Sequence, residues 1–269
     1  MIVSAVVVAG RGLVDPAEPV FFADDEAVLR GTAAFETLRV YGGRPFRLAR
    51  HLDRLAGSIE RLGLPPVDRT ECGELARSAV EAAGGGELAL RYYRTYRTLV
   101  ATAGPLPEEL ADERAHGLRL RTIRIDFDPL LRGVKSTSYA FNMAARKDAE
   151  SKGDDDALFV SSDGTVLEGT TANVWWRDGD ELFTPSLELG ILPGVTRGAL
   201  LEVAAERGTR VREGTFPLEW LLAADEAFAS SSIREVMPVV AVDGTTIGDG
   251  RPGEATQALQ EGLRVLSTR

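Results

Sequence analysis

A chain of 269 residues with 44% hydrophobic content can bury a sizeable core and, at roughly 150 residues per domain, fits two domains. A formal net charge of -10 argues against a nucleic-acid backbone as the main partner, because neutralising phosphates takes a surplus of clustered basic groups. One cysteine, Cys72, and two histidines, His51 and His116, rule out an internal disulfide or a multi-thiolate metal site and leave little for zinc or a Ser-His relay, so no metal is expected.

In chain order, Met1-Ile2-Val3-Ser4 runs into the strand-like Val6-Val7-Val8 with no charged leader or cleavage site, and no apolar run approaches the ~20 residues of a bilayer span. A cytoplasmic protein without membrane contact is expected. Short β-rich runs at 3–8, 33–41 and 45–48 alternate with turn signals such as Gly42-Gly43. From 49 to 62 the period changes: Leu52, Leu55, Ile59 and Leu62 recur every three or four residues, the pattern of an amphipathic helix. A second helix is predicted over 72–83, stopped by Gly84-Gly85-Gly86. A strand at 88–96 and a return at 98–102 follow. Residues 104–116 are polar and turn-rich, and 117–125 reads as a strand with Leu/Arg alternation at Leu118-Arg119-Leu120-Arg121. The domain boundary is placed there, giving a small N-terminal α/β domain at 1–115 and a larger domain at 116–269.

Beyond it the pattern predicts a helix over 136–151 and strands at 157–161, 166–168, 171–177 and 181–184. A helix over 195–207, a short helix over 218–223, and strands at 226–230 and 236–242 complete it. Neighbouring hairpins with interspersed helices point to an α+β fold with mixed sheets, not a doubly wound parallel one.

The chemistry starts from Lys135, one of three lysines against 28 arginines. A primary amine can lose its proton and attack a carbonyl to form a Schiff base, whereas a guanidinium with a pKa above ~12 stays protonated. Lys147 and Lys152 sit among Arg146, Asp148, Glu150 and Asp154 on a solvated helix face. Lys135 lies beside small and apolar residues, as a nucleophile or as a surface lysine near a strand end. Glu168, before Gly169-Thr170-Thr171, is a lone carboxylate at a strand end, either a hairpin-end acid or a functional one. Gly190-Ile191-Leu192-Pro193-Gly194-Val195-Thr196-Arg197 offers backbone N–H groups and a hydroxyl at a helix start, an anion site or a plain Pro-Gly turn. Ser230-Ser231-Ser232 could serve the same anion or satisfy a turn, and Arg54 stands on an apolar-striped helix.

Taken in order and at these spacings, the segments Gly31-Thr32-Ala33-Ala34-Phe35-Glu36-Thr37-Leu38-Arg39, His51-Leu52-Asp53-Arg54-Leu55, Lys135 with Tyr139, Glu168 to Val174, Leu192 to Arg197 and Ser230 to Pro238 make one pattern. It resembles the class IV aminotransferases, the fold type IV enzymes that use pyridoxal 5'-phosphate: branched-chain aminotransferases, D-amino acid aminotransferases and 4-amino-4-deoxychorismate lyases. The resemblance spans nearly the whole chain and implies a two-domain fold with the active site between the domains, the second domain binding the cofactor, and a homodimer. It implies that Lys135 holds the cofactor and moves the proton, that Glu168 pairs with the ring nitrogen, and that Arg54 grips the phosphate. Val195, Thr196 and Ser232 are implied as further phosphate donors and Tyr139 as the partner of the cofactor's phenolic oxygen.

Arg30 stands where the family usually has an aromatic residue near the substrate pocket, and the 90–105 stretch lacks the Arg-x-His loop with which D-amino acid aminotransferases hold the substrate carboxylate. Arg91, Arg94 and Arg97 are left for that job or for the surface. Strand alternation puts Arg91 and Arg97 on one face and Arg94 on the other. Thr37 and Ile233 complete the candidate substrate residues. The expected reaction moves an amino group between an amino acid or related amine and a 2-oxo acid. The alternative is the lyase reaction that turns 4-amino-4-deoxychorismate into 4-aminobenzoate and pyruvate. Thr37 favours it, because the lyases have threonine at this position in the active site and branched-chain enzymes typically have glycine.

Overall fold

In the computed structural model, which describes residues 2–126 and 130–268, the chain divides into two units: Met1–Pro107 with Val134–Tyr139, and Glu108–Gly133 with Ala140–Arg269. The single cut expected after residue 115 therefore falls eight residues earlier, at Pro107 and Glu108, and a short segment returns across it. The reason is long-range bonding. The stretch read as polar and turn-rich forms helix 110–116, whose Arg114 donates to the carbonyl of Arg234 at 2.9 Å.

The first unit is built on β1 (Ala5–Val8), β2 (Gly12–Val14), β3 (Ala34–Tyr41), β4 (Arg44–Pro45), β5 (Leu88–Arg94) and β6 (Leu99–Pro105), with helices α1 (Glu26–Arg30), α2 (Leu48–Arg61) and α3 (Arg69–Ala82). The sheet is antiparallel throughout, in the order β2-β1-β6-β5-β3-β4. Period-two alternation sorts its faces. Leu38, Val40, Leu90, Tyr92 and Ala101 pack with Leu52, Leu55 and Ile59 of α2 and with Cys72, Leu75 and Ala79 of α3, and Tyr92 Oη donates to the Cys72 carbonyl at 2.6 Å. The other face presents Phe35, Thr37, Arg91 and Tyr93. Asp68 caps α3 by accepting from Glu71 N at 2.9 Å, and Gly84, Gly85 and Gly86 leave the helix with φ of 90°, 67° and 82°, a run that L side chains would resist.

The segment carrying Lys135 belongs to this sheet's margin. Phe35 N donates to Lys135 O at 3.1 Å and Thr137 N to Ala33 O at 2.9 Å, with Ser136 bridged to Ala34. The helix expected from residue 136 accordingly starts only at Ala140, because the preceding backbone is spent on long-range pairing with residues 33–35.

The second unit holds α4 (Leu110–His116), β7 (Leu118–Arg124), α5 (Ala140–Ser151), β8 (Asp156–Val160), β9 (Val166–Gly169), β10 (Asn173–Asp178), β11 (Glu181–Pro185), α6 (Val195–Glu206), β12 (Arg210–Gly214), α7 (Leu218–Leu222), β13 (Glu226–Ser231), β14 (Glu235–Val242), β15 (Thr245–Thr246) and α8 (Glu254–Thr268). Its sheet runs β12-β11-β10-β13-β14-β7-β8-β9, with β15 on β14. Parallel ladders join β7 to β8, β14 to β7 and β11 to β12, so this sheet is mixed, as the α+β reading expected. One feature positions the site: β9 also pairs with β10 through Glu168 and Asn173, so six strands close into a ring. Among the described residues no helix is long and apolar enough to cross a membrane.

Candidate active site

In the first unit, Lys135 is 8% exposed. Its Nζ lies 3.3 Å from Tyr139 Oη and 4.4 Å from the Phe35 ring centroid, while Phe35 meets the Tyr139 ring edge-on at 5.2 Å. The backbone is pinned by Ser58 Oγ, which accepts from Lys135 N at 3.0 Å. The amine is thus enclosed between the Phe35 ring and the Tyr139 phenol and does not stand as a solvated surface lysine. The resemblance had paired Lys135 with Tyr139, and the structure brings them together.

Arg54 is held by a group that the sequence reading passed over. Its Nε and Nη2 each donate to Glu36 at 2.8 Å, and His51 Nδ1 lies 2.7 Å from the same carboxylate. Glu36 and His51 are both fully buried. Burial pushes Glu36 upward, but the charge and hydrogen bonds of Arg54, with help from His51, outweigh it and hold the carboxyl at about 2. Burial likewise keeps His51 below its ordinary 6.5, against the pull of Glu36. A signal was present: Glu36 shares the core face of β3 with Leu38 and Val40, where a charge requires partners, and His51 and Arg54 are three apart on α2, hence on one side of it.

Acid should therefore weaken this unit. The unfolded chain takes a proton on His51 below pH 6.5 that the folded one resists, so stability falls as pH drops, by up to about 1.4 kcal/mol per pH unit. Glu36, ordinarily 4.5 and about 2 here, adds a loss of the same sign between those values. In urea melts His51→Gln is expected to flatten the dependence below about pH 6.5. An undiminished slope would mean that His51 is not the neutral group.

The second unit assembles the other candidates. Glu168 accepts from Leu192 N at 3.1 Å with both oxygens and from Asn173 Nδ2 at 3.3 Å. The same amide nitrogen donates to Leu192 O at 2.9 Å. Asn173, 3% exposed, thus ties the Glu168 strand end to the loop before α6. Gly194 caps that helix without a side-chain hydrogen bond, and a Cβ there would come within 2.1 Å of Asn173 Oδ1. The result is a cradle with its amides open at Val195 and Thr196, the donor set an anion takes at a helix start. In the serine run, Ser230 Oγ accepts from Trp175 Nε1 at 2.9 Å and Ser231 Oγ from Arg234 N at 3.3 Å. Ser232 is half-buried and has no side-chain hydrogen bond among the described residues. Ile233 is half-buried in the same turn.

The substrate candidates of the first unit separate. Arg91 is 6% exposed, opposite Thr37 on β3 and Thr102 on β6. Burial pulls its guanidinium down, with Tyr93 opposing, and no carboxylate or carbonyl among the described residues is hydrogen-bonded to it. Arg97 does not share its face: β5 ends at Arg94, and Thr95 Oγ1 accepts from Arg97 N and Thr98 N at 3.1 and 2.9 Å, which turns the chain. Arg97 instead forks onto Asp24 at 2.9 and 3.0 Å. Arg94 faces the helices and donates to Pro65 O at 2.8 Å. Arg30 ends α1, exposed, against Glu26 at 2.5 Å.

Residues 33–242 match the family model of amino-transferase class IV, and the chain belongs to that family of pyridoxal-phosphate enzymes. It is 32% identical over 255 residues to the aminodeoxychorismate lyase of Bacillus subtilis, covering 88% of this chain and 86% of that one. It is 30% identical over 260 residues to a putative branched-chain-amino-acid aminotransferase of Methanocaldococcus jannaschii, covering 91% and 90%. Among solved structures, a hypothetical aminotransferase of Mycobacterium tuberculosis in its α-ketoglutarate- and PMP-bound form superposes with a TM-score of 0.90 at 28% identity, over 98% of each chain. The fold is that of the type IV aminotransferases, as expected.

Proposed function

We propose that the protein is an aminotransferase that moves an amino group between an amino acid and a 2-oxo acid, with Lys135 as the residue that carries the cofactor and transfers the proton. The observation that supports this most is the enclosure of Lys135 Nζ by Tyr139 and Phe35. Pyridoxal 5'-phosphate supplies the carbonyl carbon that the amine attacks and a ring that stores the electron pair released at the substrate α-carbon. In the first unit, Lys135 Nζ would take the proton from the substrate α-carbon and deliver it to the cofactor's former carbonyl carbon, Tyr139 Oη would orient the amine, and Arg54 would meet phosphate in the posture Glu36 gives it. In the second unit, Glu168 keeps the ring nitrogen protonated. The amides of Val195 and Thr196 with the Ser232 hydroxyl meet phosphate.

Arg91 is the proposed grip on the substrate carboxylate, because a buried guanidinium without an anion is costly and a carboxylate relieves that cost. Arg91→Ala should raise KM for the amino acid by about 100-fold or more, the effect of leaving one charge of a buried pair alone. Equal kinetics in variant and parent would rule that grip out. The reading extends to a homodimer, and the free buried thiol of Cys72 fits the cytoplasm.

The lyase reading keeps one observation of its own: Thr37 sits directly across from Arg91, in a chain similar to a curated lyase. The deciding experiment is the near-visible absorption of the holoenzyme with D- and L-amino acids in the absence of acceptor. Bleaching that a 2-oxo acid reverses establishes the aminotransferase. A yellow protein inert to every donor but active on 4-amino-4-deoxychorismate establishes the lyase.

A further inference from the structure

The turn that carries Ser232 and the turn that follows Glu168 are joined under the surface of the second unit. Arg234, two residues past Ser232, is 9% exposed. Its Nη1 donates to Asp156 Oδ2 at 2.8 Å, and its Nε and Nη2 each reach Glu113 of α4 at 3.2 Å. The other oxygen of Asp156 accepts from Thr170 Oγ1 at 2.5 Å. Thr170 is 1% exposed, stands two residues after Glu168, and has its carbonyl held by Asn142 Nδ2 at 2.8 Å. One buried carboxylate therefore bridges the two turns, an oxygen to each.

The Ser232 turn is braced from its other end as well. Glu235 is fully buried and has φ of 58°, a conformation that a non-glycine residue keeps only where its surroundings hold it. Arg114, Gln260 and Arg264 supply the hold, donating to Glu235 Oε2 at 3.1, 2.8 and 3.3 Å. Buried ionic groups of this kind add little net stability over well-packed apolar ones, and their best-attested use is to specify one arrangement.

We propose that Arg234 and Asp156 are positioning residues that hold the Ser232 hydroxyl in register with the Glu168 turn, so that the phosphate hydroxyl and the ring carboxylate are placed as one piece. The proposal rests on the reading of Ser232 and Glu168 as cofactor residues. The Thr170 hydroxyl is joined to the Ser232 turn through Asp156, so a change at that hydroxyl reaches phosphate by that route.

The test uses the full chain, stripped of cofactor and then titrated, with inorganic phosphate affinity by calorimetry, pyridoxal 5'-phosphate affinity by near-visible absorption, and the melting temperature of the stripped protein. Ser232→Ala should weaken phosphate about tenfold, the worth of one hydrogen bond to a charged group. Thr170→Val, which removes one O–H donor at nearly constant volume, should weaken phosphate about threefold or more, the size of coupling expected within one network. Its melting temperature should stay near the parent's, and Thr170→Ser should restore phosphate binding. In an Asp156→Asn background Thr170→Val should add nothing. Should Thr170→Val fail to fold, Arg234→Lys, which keeps the charge and loses the fork, takes its place with the same expectations.

If Thr170→Val leaves phosphate affinity at the parent value while Ser232→Ala lowers it, the relay is overturned and the phosphate assignment stands. A loss of affinity matched by a proportionate loss of melting temperature, or one that persists undiminished in the Asp156→Asn background, also overturns the relay. No effect of Ser232→Ala on phosphate would overturn the assignment of Ser232 to the phosphate site, and the relay with it.

Discussion

Lys135→Ala is expected to lower turnover by at least ~1,000-fold, within the range for losing a positioned proton carrier, while leaving the fold intact. The fold survives because the backbone of residue 135 makes the structural bonds, accepting from Phe35 N and donating to Ser58 Oγ. The side chain contributes a hydrogen bond to Tyr139 and packing on two rings, contacts that line the pocket. Lys135→Arg should be equally inactive, because the guanidinium keeps its proton. Steady-state rates with circular dichroism of the same preparations check both halves, and near-normal turnover in either variant would defeat the mechanism.

Glu168→Gln is expected to retain the cofactor but slow proton removal by about 100-fold, the scale of one well-placed electrostatic group. The geometry explains why retention survives. Leu192 N can still donate to an amide oxygen where both carboxylate oxygens now accept at 3.1 Å, and Asn173 still holds the loop through Leu192 O at 2.9 Å. What disappears is the negative charge that keeps a ring nitrogen protonated. The single-turnover rate with an amino donor, read beside cofactor content, is the measurement. A parental rate at full occupancy would remove Glu168 from that role.

Much of the candidate site was legible in the sequence because its segments are short, ordered and chemically unusual. A lysine in an arginine-rich chain, an acid before Gly-Thr-Thr and a Pro-Gly helix start each carry a local signature, and the helices at 49–62, 72–83 and 195–207 fell within three residues of α2, α3 and α6. What escaped depends on partners distant in sequence. Glu36 meets His51 and Arg54 from 15 and 18 residues away, so the sequence shows a charge in a strand without saying what neutralises it. Asp156 joins Arg234 across 78 residues. The helix drawn from residue 136 failed because 134–139 is claimed by β3, a pairing no local propensity announces. Arg97 was misplaced by carrying strand alternation past Arg94 into a hairpin that Thr95 shapes with its hydroxyl. Helix α8 was legible and overlooked: Ala255, Leu259, Leu263 and Leu266 recur every three or four residues.

Borohydride reduction of the holoenzyme followed by peptide mass mapping reads out directly which lysine carries the cofactor. With three lysines in the chain, the readout has few positions to choose among. A pyridoxyl mass is expected on the peptide containing Lys135, with Lys147 and Lys152 unmodified. The same mass on either of those two, with Lys135 bare, would contradict it.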